Sequence, residues 1–259
     1  MRRFAAYFTV VIVLCMHPCV YAQFFDFQGQ KEDLRVGDQL VINHFNSDPD
    51  VYENHLVITD VEGAGPVVNV LLYDQSGELL DQHYYFLPLF GKVNYNPADR
   101  IGNKVFTGWI QILSDGGRVA AQYWQWYKDP AKSGWNSAIP AADGEGSTAL
   151  LVQHFVADPG LKAKLVLVNQ SSDTSALVAV TFYLDRGKQL TRDKHLIPAS
   201  GSVVLDPYAE NEGLIRTGVA FCEVLEGGKI TGEYWQASPT GGYQISLPLE
   251  IVPERDRDW

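Results

Sequence analysis

Cysteine is scarce in this chain, and so are positive charge, long apolar runs and helical periodicity. Of three cysteines, Cys15 and Cys19 fall within the first 22 residues, which leaves Cys222 with no intramolecular partner. A secreted domain of this kind has no disulfide framework and must be stabilised by its core, which is feasible at roughly 100 residues per folding unit. Lys and Arg number 20 against 31 Asp and Glu, for a net charge of −11. Nucleic acid and anionic membrane surfaces both attract clustered positive charge, so neither is an expected partner. The apolar run Phe4 to Cys15 is too short for a membrane helix, which needs about 20 residues. Beyond residue 22 no window carries a 3.6-residue apolar period. Gly-x-Ser-x-Gly, His-x-x-x-His, Cys-x-x-Cys and a phosphate-binding glycine loop are all absent. No carboxylate pair repeats at a spacing that suggests glycosidase chemistry. These absences point away from an enzyme, a cofactor and a metal centre.

What is present begins with a secretory pattern. Arg2 and Arg3 precede the apolar run, and Val20-Tyr21-Ala22 places small residues at the −3 and −1 positions before Gln23. This layout predicts a cleavable signal peptide over residues 1–22, cut after Ala22. The exported chain is then expected in the periplasm or outside the cell, with no stable membrane insertion. Its balance becomes 18 basic against 31 acidic side chains, a net charge of −13. A lone cysteine without a disulfide framework suits a bacterial periplasm or cell surface. Asn169-Gln170-Ser171 matches a glycosylation sequon by pattern only.

The chain then states one pattern twice, offset by about 110 positions. His44-Phe45 answers to His154-Phe155, Asp48-Pro49 to Asp158-Pro159, Tyr73 to Tyr183 and Gly77 to Gly187. Pro88, Gly91 and Pro97 answer to Pro198, Gly201 and Pro207, and Tyr123-Trp124-Gln125 to Tyr234-Trp235-Gln236. Runs such as 67–73 and 177–183 are rich in β-branched and aromatic residues and end at Asp- and Gly-containing turns. Strands at intervals of roughly 8 to 12 residues argue for a sandwich. The expected fold is all-β: two tandem β-sandwich domains, immunoglobulin-like or jelly-roll-like, from an internal duplication. The expected boundaries are a lead-in at 23–38, repeat one at 39–140, a linker at 141–147, repeat two at 148–249 and a charged tail at 250–259.

The final hairpin of each copy is the most legible part. Residues 105–113 and 118–127 flank the turn Ser114-Asp115-Gly116-Gly117, and 215–224 and 229–236 flank Leu225-Glu226-Gly227-Gly228. Alternation along the returning strands puts Val119, Ala121 and Tyr123 on one face, with Ile230, Gly232 and Tyr234 as equivalents. Trp124 and Trp235 then belong to the opposite face, beside Gln122, Thr231 and Glu233. Cys222 falls on a core position of the preceding strand.

These segments resemble the sensory rhodopsin transducer family of small bacterial β-sandwich proteins. The shared features are an apolar strand ending in Asn (Leu165 to Asn169), Val-x-Val-Thr-x-Tyr (Val178 to Tyr183), Leu196-Ile197-Pro198 leading to Val203, and the Gly-x-Ile-x-Gly-Glu hairpin from Gly228 to Glu233. The likeness covers most of each copy. It implies a jelly-roll-like or immunoglobulin-like sandwich that binds partners, often as an oligomer, and carries no catalytic residues. The chain departs from the family in being duplicated and exported.

Two constellations merit weighing. His-Phe-x-x-Asp-Pro occurs in both copies, and a His and an Asp four apart suit a metal or an acid–base pair. Neither copy supplies a third ligand at fixed spacing, so the plainer reading is a strand end followed by an Asp-Pro turn. The aromatic cluster is the better site candidate: Tyr123, Trp124, Gln125, Trp126 and Trp135 in repeat one, and Tyr234, Trp235 and Gln236 in repeat two. Such side chains stack on sugar rings or anchor protein partners, and the plainer alternative is that they seal the junction between the copies. Trp109, Trp126 and Trp135 lack aromatic equivalents in repeat two, which favours repeat one for any binding role. The expected function is a non-catalytic exported interaction module of the bacterial cell envelope, with a protein partner, a glycan or a further copy of the chain as occupant.

Overall fold

The computed structural model describes residues 36–102, 104–129, 131, 137–238 and 244–253. Copy one opens with β1 (Val36–Gly37), β2 (Gln39–Asn46), β3 (Tyr52–Asp60), β4 (Val67–Asp74), β5 (Leu79–Phe86) and β6 (Lys92–Tyr95). One helical turn, α1 (Pro97–Arg100), precedes β7 (Thr107–Asp115), β8 (Val119–Tyr127), β9 (Ser137–Pro140) and β10 (Ala142–Asp143). Copy two runs β11 (Ala149–Ala157), β12 (Lys162–Asn169), β13 (Ala176–Leu184), β14 (Gln189–Ile197) and β15 (Ser202–Leu205). After α2 (Pro207–Glu210) come β16 (Arg216–Glu226), β17 (Ile230–Ala237), β18 (Gln244–Pro248) and β19 (Glu250–Ile251).

The strand order of the first half recurs in the second. Copy one forms the sheets β1-β8-β3-β6, with β9 also on β8, and β10-β2-β7-β4-β5. Copy two forms β15-β12-β17-β18 and β14-β13-β16-β11-β19, so β2 to β10 match β11 to β19 one for one. The pairings are antiparallel, and the fold is an all-β sandwich. Alternation sends Leu40, Ile42, Leu56, Ile58, Ile110, Ile112 and Tyr123 into one core and Leu150, Val152, Leu165, Leu167, Cys222 and Tyr234 into the other. Burial pushes the Cys222 thiol up to about 12, which keeps it protonated and inert.

Three expected boundaries change. Segment 141–147 is not a free linker: Ala142 pairs with Val41 in β10, and Ala141 and Ala142 are buried. Its counterpart is β19, which pairs with Leu150 and Leu151 and makes the start of the expected tail part of copy two. The lead-in contributes β1, opposite Val119 and Ala120. Pro97 and Pro207 start helical turns, whose first-turn amides are capped by Asn96 (from Ala98 N, 3.0 Å) and Asp206 (from Tyr208 N, 2.9 Å). The predicted signal peptide, the rest of the lead-in to residue 35, Trp135 and residues 254–259 lie outside the described residues.

The repeated His-Phe-x-x-Asp-Pro is structural. In both copies it sits on a β-bulge, between Ile42 and Phe45 and between Val152 and Phe155, which turns each Phe into its core. Asp48 and Asp158 then accept from the amides two residues on, Asp50 (3.1 Å) and Gly160 (2.7 Å). The sequon residue Asn169 is fully buried and donates to the carbonyls of Thr174 and Pro198, so it holds loops together.

The copies meet face to face. The outer side of β10-β2-β7-β4-β5 packs on the outer side of β15-β12-β17-β18, and the described residues of both copies fall in one compact unit. Val41 and Trp109 from copy one bury with Val166 and Val168 from copy two, flanked by Tyr73 and Val204. Thr231 Oγ1 donates to Asn43 Oδ1 (2.6 Å) and Asn43 Nδ2 to Gly232 O (3.2 Å). At the sheet margin the loop between β14 and β15 reaches the β4–β5 turn, where Ser202 N donates to Gln75 O (2.9 Å). Gly77 is required there: a Cβ would lie 2.1 Å from Ala199 O, and its φ is +92°. Its counterpart Gly187 has φ +76° and open space around it. Gly77→Ala is therefore expected to destabilise more than Gly187→Ala, which carries only about 1 kcal/mol of backbone strain. Urea midpoints of the two variants check this ordering.

Candidate functional site

Because side chains alternate, the repeated Tyr-Trp-Gln divides between two environments. Tyr123 is fully buried and donates to Asn54 Oδ1 (2.7 Å), and Gln125 is buried beside it. Tyr234 and Gln236 are likewise buried, and Val156 N donates to the Tyr234 hydroxyl (2.9 Å). These four residues form part of the scaffold, which removes them from the expected contact surface. Only the tryptophans between them face out of their sandwiches.

Those tryptophans meet different fates. Trp235 lies half-buried on the β17 face that packs on copy one, the face that also carries Thr231 and Glu233. That face is closed: Thr231 is buried and Glu233 is 1 % exposed. The equivalent face of β8 in copy one lies beside the contact of β9 with β18, and among the described residues it leaves Trp126 exposed. Trp124 is half-buried there and Trp126 is 41 % exposed, their rings 6.3 Å apart and nearly perpendicular. Trp109 lies at the junction, 1 % exposed, stacked on Tyr73 at 4.6 Å and donating to Ser200 O (2.8 Å). It belongs to the internal contact rather than to a ligand surface.

Strands β3 and β6 complete the open face. Register places His55 opposite Trp124 and Glu53 opposite Trp126 on β3, and Asn94 opposite Val57 on β6. His55 is held on both ring nitrogens, Nε2 at 3.0 Å from Glu53 Oε1 and Nδ1 at 3.3 Å from Asn94 Oδ1. Its ring sits 5.2 Å from that of Trp126. The outcome is an aromatic platform rimmed by a carboxylate, an imidazole and an amide. Such a surface binds a group that is apolar on one side and hydrogen-bonding at its edge. Sequence comparison of the copies missed Glu53 and His55 because copy two has Lys162 and Lys164 at those positions. The useful signal was difference between the copies, whereas identity marked scaffold.

A second cluster lies at the β5 and β14 edges. Arg100 of α1 bridges Asp81 (3.2 Å) and His83 (3.0 Å) in copy one. Copy two keeps the Asp-x-His as Asp193 and His195, but α2 presents Glu210 at 3.5 Å from His195. Burial raises the Glu210 carboxyl, with His195 pulling the other way. Asp193, Glu210 and Glu212 line an open groove of about 530 Å³. This motif repeats at a spacing of 112 rather than 110, which an exact-offset comparison passes over. Among the described residues no group of three His, Cys, Asp or Glu side chains is placed to hold a metal ion.

Known proteins add little to this geometry. No family model matches the chain, and no curated protein matches it. A solved structure of a calcium-binding mutant of Bacteroides uniformis beta-glucuronidase 2 aligns with 81 % of this chain and 26 % of its own length. The alignment has 8 % identity and a TM-score of 0.16, values at which it carries no argument about fold or activity. Among the described residues no helix is long and apolar enough to cross a membrane.

Proposed function

We propose that the chain is an exported, non-catalytic interaction module of the bacterial cell envelope, with the outer face of β8, β3 and β6 as its contact surface. One observation carries the reading. Two homologous sheet faces exist, and copy two's is committed to the internal junction while copy one's is open and bears Trp124, Trp126, His55 and Glu53. Trp is a frequent anchor residue of protein interfaces, and charged or polar rims around such anchors are the usual arrangement. Export through residues 1–22 and a periplasmic or extracellular address belong to the same proposal, as does the resemblance to the sensory rhodopsin transducer family.

A glycan is the alternative occupant, favoured by Trp126 standing beside Glu53 and His55, with Asn94 on the far side of the imidazole, polar groups that can hydrogen-bond hydroxyls. Capture from a cell-envelope extract and tryptophan emission against a glycan panel separate the two. The Trp126→Ala variant is expected to lose at least about tenfold in affinity for the occupant, in line with an interface anchor. An exposed substitution on copy two's edge, Leu196→Ala, leaves binding unchanged. Equal binding by wild type and Trp126→Ala would remove this face from consideration.

A further inference from the structure

The centre of the junction between the copies is not symmetric: copy one contributes β10-β2-β7-β4-β5 and copy two contributes β15-β12-β17-β18, while at the margin β9 of copy one meets its counterpart β18. A contact of this heterologous kind leaves one unused surface of each type at the two ends of the molecule. Copy one still presents β6-β3-β8 and the loop Pro88-Leu89-Phe90-Gly91. Copy two still presents the outer side of β11, β13 and β16 and the turn Leu184–Gly187.

The two loops have the same form. Phe90 and Ser200 both take left-handed conformations, φ 53° and 51°, and Gly91 N and Gly201 N donate back to Pro88 O (2.7 Å) and Pro198 O (3.0 Å). Each is fastened from below, Phe90 N to Asp60 Oδ2 (3.1 Å) and Ser200 N to Ser171 O (2.7 Å). In copy two this loop is docked, with Ser200 O accepting from Trp109 and Ala199 O against Gly77. In copy one it stands clear, with Leu89 69 % and Phe90 72 % exposed.

The receiving surface shows the same contrast. Val41, Asn43 and Trp109 are buried under copy two, whereas their counterparts Leu151 and Val219 are half-buried and Gln153 is exposed. Gly77 is blocked and Gly187 open. The sizes also interchange. The internal junction sets a large receiver, Trp109, against small loop residues, Ala199 and Ser200. The free surfaces set a small receiver, Val219, against large loop residues, Leu89 and Phe90. Close packing needs complementary shapes across a contact, and this exchange reverses which side is large.

We propose that the occupant of copy one's open face is copy two of a second chain, docked as the copies dock internally, so that the chain assembles head to tail. The proposal rests on the reading of that face as a contact surface and names its partner. Repetition of one rotation gives an open filament, or a ring where the rotation closes. Leu89 and Phe90 enter the space over Val219, and Gly187 admits the carbonyl of Leu89.

Sedimentation velocity of the exported chain tests this. The weight-average mass of wild type is expected to rise with concentration past twice the monomer. Phe90→Asp blocks one end and Val219→Lys the other, both at side chains outside the cores, with circular dichroism verifying the fold. Each variant alone is expected to stay monomeric, and an equal mixture to form a dimer that grows no further, since one intact surface of each type remains. A wild type that stays monomeric at all concentrations overturns the proposal, as does a Phe90→Asp chain that assembles like wild type. A mixture that stays monomeric while wild type forms only dimers shows a symmetric contact and overturns it too. A monomeric wild type that still captures an envelope protein through Trp126 ends self-association but leaves the interaction-module reading standing.

Discussion

Trp109→Ala is expected to lower the unfolding free energy by about 4 kcal/mol and to split unfolding into two transitions. Trp109 is 1 % exposed, stacks on Tyr73 at 4.6 Å and packs with Val41, Val166 and Val168 from both sides of the junction. Truncating a buried Trp to Ala typically costs about 3–5 kcal/mol through lost transfer energy and the cavity left behind. The change also strands Ser200 O, which accepts the indole N–H at 2.8 Å. Whole-domain stabilities are about 5–15 kcal/mol, so this is a large fraction. Each copy retains its own core after the loss, built on Phe45 and Ile110 in one and Phe155 and Phe182 in the other. The junction couples them, and without Trp109 the copies are expected to melt separately. Urea unfolding followed by circular dichroism and by tryptophan emission shows this as non-coincident curves.

Glu233→Gln is expected to stabilise the protein by about 4 kcal/mol at pH 8 and to leave it nearly unchanged at pH 4.5. Glu233 lies at the junction, 1 % exposed, and its Oε1 has no hydrogen-bond partner among the described residues. Burial pushes its carboxyl up to about 8, against a weak opposite pull from the Ser246 hydroxyl. Below pH 4.5 the side chain is neutral in the folded and unfolded chains alike. As pH rises from 4.5 to 8 the unfolded chain gives up the proton while the folded chain retains it, so stability falls. Gln is neutral throughout and removes that fall. His44 works on the acid side: burial, and then Lys164, lowers its imidazole to about 4, with Nδ1 enclosed although part of the ring reaches the surface. Unfolded His binds a proton below its ordinary 6.5, so this group loses stability as pH falls from there to about 4. Wild type is thus expected to be flat between about pH 4.5 and 6.5 and to weaken above it, and thermal melts at stepped pH resolve both arms.

Much of the architecture was written in the sequence because turn chemistry and alternation are local. Asp-Pro turns, the paired glycines and the period of two along β8 and β17 follow from backbone geometry alone. Burial between the copies was not legible, since it depends on which sheet of each sandwich turns toward the other. Thr231 and Glu233 lie on a polar strand face of the kind that ordinarily meets water, yet here Thr231 meets Asn43. The helical turns at Pro97 and Pro207 escaped notice because four residues are too few to show a helical period. The open site lay where the copies differ, at Glu53 and His55 against Lys162 and Lys164, so a search for shared residues led to Tyr123 and Gln125 in the scaffold.

Two equivalent sheet faces differ in the molecule, one sealed at the junction and one exposing Trp126. Val166 on β12 and Val57 on β3 are register equivalents, the first buried at the junction and the second half-exposed on the open face. Maleimide labelling of Val57→Cys and Val166→Cys in dilute native protein beginning at Gln23, which leaves out Cys15 and Cys19, compares them directly, with Cys222 buried and silent. The arrangement predicts rapid reaction at position 57 and reaction at 166 only after unfolding. Equal rates at the two positions in the folded protein would contradict it.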